Sequence, residues 1–470
     1  MPYSLLIVIC SGKTNKRRFL WISWLCPGIN LKRWLLLFAG GVLCCAIGLA
    51  LFFNYQFMGF VEEMLFRMSY LTTGKYSNTV SMLTGFISLC AGLFIMYYAT
   101  RKIIRSVVEA VMPDNNASLM EIIFTQRKLT RGPAITVVGG GTGLSTLLRG
   151  MKYITNNCTA VVTVGDDGGS SGRLRKEMGI LPPGDLRNCL VALADREPLM
   201  ERIMQYRFKG DSPLAGHSFG NLFIAAMAEA EGGMEAGLAA TSQILNVRGK
   251  VVPSTLRDIR LKAEMTDGSI INGESEIPKA HKRIRTMAME PADAPATASA
   301  VQAILNADIL IFGPGSLYTS VIPNLLVTGI RDAVIKSEAV KIYICNVMTQ
   351  PGETDGYGAF EHVQALIQQA GTQFLDYVIV NDQRVTAAQL AQYNEKGSMP
   401  VTPDIKKIER LGIQVIPTRL ISNKDLVRHN PQKLAQVIIS LVYRLRLFGK
   451  GIQFFDYFFM RQSMRELKKK

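Results

Sequence analysis

The chain has little of what would mark metal, disulfide or nucleophilic chemistry. Its 470 residues contain eight cysteines, none at metal-ligand spacing. Cys44, Cys45 and Cys90 lie in apolar runs, and Cys158, Cys189 and Cys345 stand singly in apolar contexts. That pattern reads as buried thiols in a reducing compartment and demands no disulfide. No acid stands at triad spacing from His217 and Ser218, which argues against nucleophilic hydrolysis. There is no internal repeat and no low-complexity tract. Positive charge is scarce where a nucleic-acid face would need it. The formal net charge is +16, but residues 132–440 hold 31 Lys/Arg against 30 Asp/Glu. The excess sits on the flanks, +9 over 1–131 and +6 over 441–470. A near-neutral centre excludes a basic nucleic-acid surface there, and basic flanks suit an anionic membrane surface.

Long uncharged runs are present, twice. Residues 34–53 and 79–98 are each twenty residues without a charge, enough for a bilayer core of ~30 Å at ~1.5 Å per residue. Two such runs joined by a short loop predict a transmembrane hairpin rather than a cleaved signal peptide. Uncharged spans also speak against a channel or pump. Lys13, Lys16, Arg17, Arg18, Lys32 and Arg33 precede the first run, and Arg101, Lys102 and Arg105 follow the second. The loop between carries only Arg67 and Lys75, so both termini are expected in the cytoplasm, with the chain on the cytoplasmic membrane. The chain then divides into a basic segment 1–33, the hairpin 34–98, a juxtamembrane linker 99–132, a domain over 133–447 and an aromatic-basic tail 448–470. The tail, with Phe454, Phe455, Tyr457, Phe458 and Phe459 before Arg461, Arg465 and three lysines, suits either an interfacial contact or a helix packed on the domain.

Within the domain, strand-like and helix-like segments alternate. Strands are expected at 134–138, 160–164, 307–312, 341–346, 375–380 and 413–416, and helices at 143–153, 217–231, 298–305 and 358–370. This predicts an α/β, Rossmann-like, doubly wound and mainly parallel sheet. Residues 248–279, with turn signals Asp267-Gly268 and Asn272-Gly273, read as inserted β-hairpins.

The chemistry-bearing residues fall in loops after the strands. In AITVVGGGTGLSTLLRG, Ala134 to Gly150, a β-branched run enters Gly139, Gly140, Gly141, Thr142 and Gly143 and then a helical pattern. Strand, tight turn and helix aim backbone N–H groups and the positive end of a helix dipole at one point, which suits phosphate. The third glycine of a G-x-G-x-x-G fingerprint is replaced by Leu144, which weakens a nicotinamide (NAD) reading. GDDGGSSGRLR, Gly165 to Arg175, places Asp166, Asp167 and Ser170 beside that turn. The acids suit Mg²⁺ through one or two carboxylates, or ribose hydroxyls. PPGDLRN offers Asp185 as a helix N-cap, with Arg187 and Asn188 in reach of an anion. GHSFGN puts His217, a candidate acid or base, one helical turn before Asn221. Gly313, Gly315, Ser316 and Tyr318 form a further strand–loop–helix corner, and Asn346 to Asp355 another polar loop.

Taken in order, GGGTGLS (139–145), GDDGGSSGRLR (165–175), PPGDLRN (182–188), GHSFGN (216–221) and GPGSLYTSV (313–321) resemble the CofD-like superfamily, and within it the gluconeogenesis-factor branch. The resemblance covers roughly 133–445. It implies a Rossmann-like fold, a UDP-N-acetylglucosamine-type ligand, and a role in cell shape and envelope precursor supply on gluconeogenic carbon sources. It implies Tyr393 and Arg428 as grips on the UDP-sugar, by stacking and by a bidentate contact to phosphate. The founding enzyme of the superfamily, 2-phospho-L-lactate transferase, implies the alternative: a Mg²⁺-dependent phospho-group transferase with Asp166 or Asp167 on the metal and His217 as acid or base. The membrane hairpin and the tail fall outside the resemblance, and a homo-oligomer is compatible with it.

Overall fold

The computed structural model describes residues 31–52, 78–111 and 129–449, apart from 131, 196, 387–389, 391, 392, 394, 396 and 422–428, with single positions between 59 and 71. Residues 1–30 of the basic segment, most of the linker, nearly all of the tail and Arg428 lie outside the described residues. Two compact units are present, Met1–Thr125 and Gln126–Lys470.

The first unit is built on helices α1 (Leu31–Phe52) and α2 (Asn78–Val111). Within α2, Met82–Ile103 is long and apolar enough to cross a membrane, and α1 contains the shorter apolar stretch Leu37–Gly48. The two helices meet at glycines. A Cβ on Gly48 would stand 2.8 Å from the Leu89 nitrogen, and one on Gly92 would stand 2.9 Å from the Cys45 nitrogen. Only glycine lets the backbones come so close. Ser88 Oγ donates to the Cys44 carbonyl at 3.2 Å across the seam. Leu43, Phe86, Ile87, Phe94 and Tyr97 face outward, exposed.

The second unit is a seven-stranded, wholly parallel sheet in the order β10-β9-β8-β7-β1-β2-β3. The strands are β1 (Ile135–Gly139), β2 (Cys158–Val162), β3 (Lys250–Pro253), β7 (Ile309–Phe312), β8 (Val340–Ile344), β9 (Tyr377–Asn381) and β10 (Gln414–Thr418). The central ones read as continuous apolar runs because helices cover both faces. Helices α3 (Gly141–Met151), α4 (Gly169–Met178), α5 (Gly184–Leu193), α6 (Glu197–Met204), α7 (Phe219–Ala230) and α8 (Met234–Ile244) lie in the connections among β1, β2 and β3. Helices α9 (Ala298–Leu305), α10 (Ile322–Leu326), α11 (Thr328–Lys336), α12 (Ala359–Ala370), α13 (Ile405–Glu409) and α14 (Pro431–Gly449) serve the other half.

The inserted region differs from the sequence expectation. Lys250–Pro253 pairs in parallel with β2 and closes one edge of the main sheet, because its apolar pair Val251 and Val252 continues the sheet rather than a hairpin. The antiparallel insert is instead β4 (Arg260–Met265), β5 (Ile270–Asn272) and β6 (Ile284–Glu290), in the order β5-β4-β6. Its β4 alternates, with Leu261, Ala263 and Met265 buried. The Asp267-Gly268 turn closes the β4–β5 hairpin as expected, with Gly268 at φ +84°.

From β1 the chain moves outward one way through β2 and β3, and from β7 outward the other way through β8, β9 and β10. The carboxyl ends of β1 and β7 therefore flank a topological switch point, where open parallel sheets bind ligands.

Candidate functional site

Two glycine turns meet at the switch point. The turn after β1 runs through Gly140, extended at φ −174°, and Gly141 at φ +67°, into α3, whose first turn has no side-chain cap. The turn after β7 runs through Gly313, Pro314 and Gly315. A Cβ on Gly143 would stand 2.5 Å from the Pro314 carbonyl oxygen and 2.7 Å from Gly315 Cα, so the two turns touch backbone to backbone. Asn346, just past β8, holds the second turn: its Oδ1 accepts from the Gly315 N–H at 3.2 Å and its Nδ2 donates to the Gly315 carbonyl at 2.8 Å. Around this contact opens a cleft lined by Gly140, Gly141, Thr142, Gly143, Gly315, Ser316 and Ser320, and also by Asn346, Met348 and His429.

A second cleft opens beside it. Asp166, Gly168, Gly169, Ser170, Ser171, Asp185, Arg187, Asn188, Arg207 and Asn221 line it. Asp185 stands at the boundary between the two, since a Cβ on Gly140 would meet Asp185 Oδ2 at 2.7 Å. The clefts hold about 220 and 250 Å³. Each alone is below the ~300 Å³ at which ordinary ligand sites begin, so a ligand as long as a nucleotide sugar extends past either one.

A buried polar network backs the second cleft. Ser170 Oγ accepts from Asn221 Nδ2 at 3.1 Å and from the Ser218 N–H at 3.4 Å. Its own proton can then be donated to His217 Nδ1, 3.1 Å away, an arrangement that suits a neutral imidazole. Burial, and then the charge of Arg173, push the His217 pKa below its ordinary value in agreement. Arg187 donates to Ser218 Oγ, to Asn221 Oδ1 at 2.8 Å and to Asn188 Oδ1 at 3.0 Å.

The carboxylates crowd one another. Burial, and then repulsion from Asp166, raise Asp185 to about 7, although its carboxylate also takes a hydrogen bond from the Gly141 backbone. Glu274, from the loop after β5, is raised to about 8 by burial and by the charges of Asp166, Asp185, Glu353 and Asp167. Asp166 and Asp167 are neighbours in sequence but face apart. Asp166 Oδ1 caps its own turn at the Gly168 N–H, 3.0 Å, whereas Asp167 Oδ1 accepts from the Ser275 N–H at 2.9 Å and so ties the loop to the insert. The carboxylate pair on the cleft wall is therefore Asp166 with Asp185. Oxygen donors suit Mg²⁺ in kind, with phosphate oxygens and water completing the shell. Among the described residues no three His, Cys, Asp or Glu side chains are disposed to hold a metal on their own.

The structure brings Gly140, Gly141, Thr142, Gly143, Gly315 and Ser316 to one cleft, and Asp166, Ser170, Asp185, Asn188 and Asn221 to the other. Gly139 ends β1 in the core and uses its carbonyl on the Thr163 N–H, and Gly313 shapes the second turn at φ +73°. His217 is buried behind Ser170 and is not among the cleft-lining side chains. Asp185 is not an N-cap. It lies one residue inside α5, whose cap position is Pro183, and this frees its carboxylate for Gly141. Tyr318, in a π-helical turn, is buried with its hydroxyl 2.9 Å from that of Tyr357. Tyr393 packs against the small apolar cluster of Val347, Met348 and Ile421, two members of which line the first cleft. Sequence reasoning missed Ser320, Arg207, Glu274 and His429 as site residues. Ser320 lies inside the GPGSLYTSV motif, and His429 stands next to Arg428 at the end of the loop before α14; burial holds the His429 pKa at about 4, and its Nε2 faces the Cys345 carbonyl at 3.2 Å.

Residues 135–421 match the protein-family model described as "2-phospho-L-lactate transferase CofD". A gluconeogenesis factor of Bacillus subtilis is 46% identical over 311 residues, 66% of this chain and 98% of its own. A protein of Nostoc sp. bearing a gluconeogenesis-factor name is 45% identical over 436 residues, 91% of this chain and 94% of its own, so that match extends well before the sheet domain. A crystal structure of a Bacillus halodurans protein, 47% identical, superposes with a TM-score of 0.64 over 66% of this chain and 100% of its own. With its parallel sheet, its paired glycine turns and these matches, the chain belongs to the gluconeogenesis-factor family, built on a CofD-like domain.

Proposed function

We propose that this protein is a membrane-tethered, cytoplasm-facing regulator that binds a UDP-sugar of the UDP-N-acetylglucosamine type, and that it serves cell shape and envelope precursor supply on gluconeogenic carbon sources. The meeting of the two glycine turns carries the ligand half of this reading. An uncapped helix N-terminus and a second backbone turn converge at the switch point, where amides and helix dipole favour a diphosphate. Tyr393 and Arg428 are the residues assigned to the sugar end. The tether rests on the apolar stretch Met82–Ile103, on the outward-facing Leu43, Phe86 and Phe94, and on the basic residues flanking both helices.

A second reading, a Mg²⁺-dependent phospho-group transferase, is favoured by the Asp166–Asp185 pair on the cleft wall and by the description of the matching family. When bound, Mg²⁺ would neutralise phosphate charge. Asp166 and Asp185 would hold it, while His217 and Asn221 would keep Ser170 in place.

Calorimetric titration of the detergent-purified full chain with UDP-N-acetylglucosamine, with and without Mg²⁺, tests both. Saturable binding that leaves the ligand intact, weakened in Tyr393→Ala and Arg428→Ala, supports the regulator. Turnover of a phospho donor supports the transferase, and no binding of any UDP-sugar contradicts the first reading. Membrane fractionation before and after alkaline extraction tests the tether.

A further inference from the structure

The second cleft contains positive charge that nothing in the described residues neutralises by contact. Arg187 is 8% exposed, and its Nε is buried without a hydrogen-bond partner. Its other guanidinium contacts, Ser218, Asn221 and Asn188, are all neutral. Arg207, exposed on the loop after α6, reaches the same cleft and donates to the Gly216 carbonyl at 2.9 Å. The two guanidiniums repel each other. Among the described residues neither lies within ion-pair distance of a carboxylate; Asp185 and Asp166 act on Arg187 only through space. A buried cation without a contact partner is costly, and two cations on one cleft wall raise that cost. The cleft also receives Gly168 and Gly169 at the start of the ten-residue helix α4; Asp166 Oδ1 takes the Gly168 N–H at 3.0 Å, and the N-cap residue Gly168 itself offers no side-chain cap to the amides that follow.

We propose that the cleft between α4 and α5 is an oxyanion subsite, separate from the glycine-turn cleft, which takes a phosphoryl or carboxylate group between the Arg187 and Arg207 guanidiniums and the first amides of α4. Planar guanidinium forks and helix-start amides both match a tetrahedral or planar oxyanion. Asp185 separates this site from the glycine turns. A diphosphate running continuously from Gly141 to Arg187 would pass against that carboxylate and the Asp166 beside it, so the anion here belongs to a different group from the one at Gly140–Gly143. The site thus has room for two anionic groups at once, one in each cleft.

Inorganic phosphate is the probe, titrated calorimetrically into the full chain at low ionic strength. The proposal expects saturable binding, weakened roughly tenfold or more in both Arg187→Gln and Arg207→Gln, as loss of a charge-assisted contact to an anion requires. Arg207 is exposed, so Arg207→Gln should leave thermal unfolding unchanged and keeps the test open if Arg187→Gln folds poorly. Phosphate affinity should also persist when UDP-N-acetylglucosamine is present at saturation. The absence of saturable phosphate binding, phosphate affinity indifferent to Arg207→Gln, or one-for-one displacement by the nucleotide sugar overturns the proposal. Failure of the nucleotide sugar itself to bind contradicts the regulator reading and leaves the phosphate titration to decide this one.

Discussion

Gly143→Ala is the sharpest perturbation of the switch point. Gly143 is not in the left-handed region, so alanine adds no backbone strain there and the whole effect is steric. Its Cβ would lie 2.5 Å from the Pro314 carbonyl oxygen, 2.7 Å from Gly315 Cα and 2.8 Å from the Gly315 nitrogen. All three are backbone atoms, and Asn346 clamps Gly315 at both its N–H and its carbonyl, so the turn cannot step aside cheaply. Relieving such contacts in a packed region costs about 1–3 kcal/mol. Gly139→Ala is the matched control: its nearest contact would be a Leu144 methyl at 3.5 Å, ordinary van der Waals distance. Denaturant unfolding followed by circular dichroism should show a lower midpoint for Gly143→Ala, with Gly139→Ala close to the parent. On the proposed reading nucleotide-sugar affinity should fall only in the former, because that reading seats the diphosphate on the displaced turn. Equal stability and equal affinity for the two variants would refute the argument that close backbone approach, rather than glycine richness as such, builds the site.

Other outcomes follow from the same geometry. Asn346→Ala removes both contacts to the Gly315 peptide and should cost about 1–3 kcal/mol in chemical denaturation while also weakening the nucleotide sugar. The pKa values of Asp185 and Glu274 are raised in the folded protein above the ~4 of an unfolded chain, so the folded state binds more protons between pH 4 and 8. Stability of the ligand-free protein should therefore fall as pH rises from about 4 and level off above about 8, and Asp185→Asn should flatten that slope in a series of melts. In the hairpin, Gly92→Leu should push α1 from α2 and raise the rate at which a permeant maleimide labels Cys45, whose sulfur lies only 2.7 Å from where a Gly92 Cβ would stand.

The sheet was readable because Ile135–Gly139, Ile309–Phe312 and Tyr377–Asn381 are short apolar β-branched runs each ending at a turn signal, a pattern with few other solutions. Lys250–Pro253 reads as part of the insert in sequence because four residues carry too little periodicity to tell an edge strand of the main sheet from a hairpin arm. The glycine turns and the acidic loop announced themselves through local composition. What stayed hidden was pairing across the chain. Nothing near Asp185 predicts that it reaches back to Gly141, nothing near Asp167 predicts Ser275, and from segments without a motif Arg207 enters the second cleft and Glu274 acts through space on its carboxylates. Tyr318 looked like a ligand contact because it follows a glycine turn, but the π-helical turn directs it inward to Tyr357.

A crystal structure of the full chain with UDP-N-acetylglucosamine tests the central claim most directly. The account predicts the diphosphate within hydrogen-bond distance of the Gly141–Gly143 amides and of Gly315–Ser316, with the second cleft left free beside Arg187 and Arg207. A diphosphate seated between Arg187 and Arg207, with the glycine turns uncontacted, would contradict it.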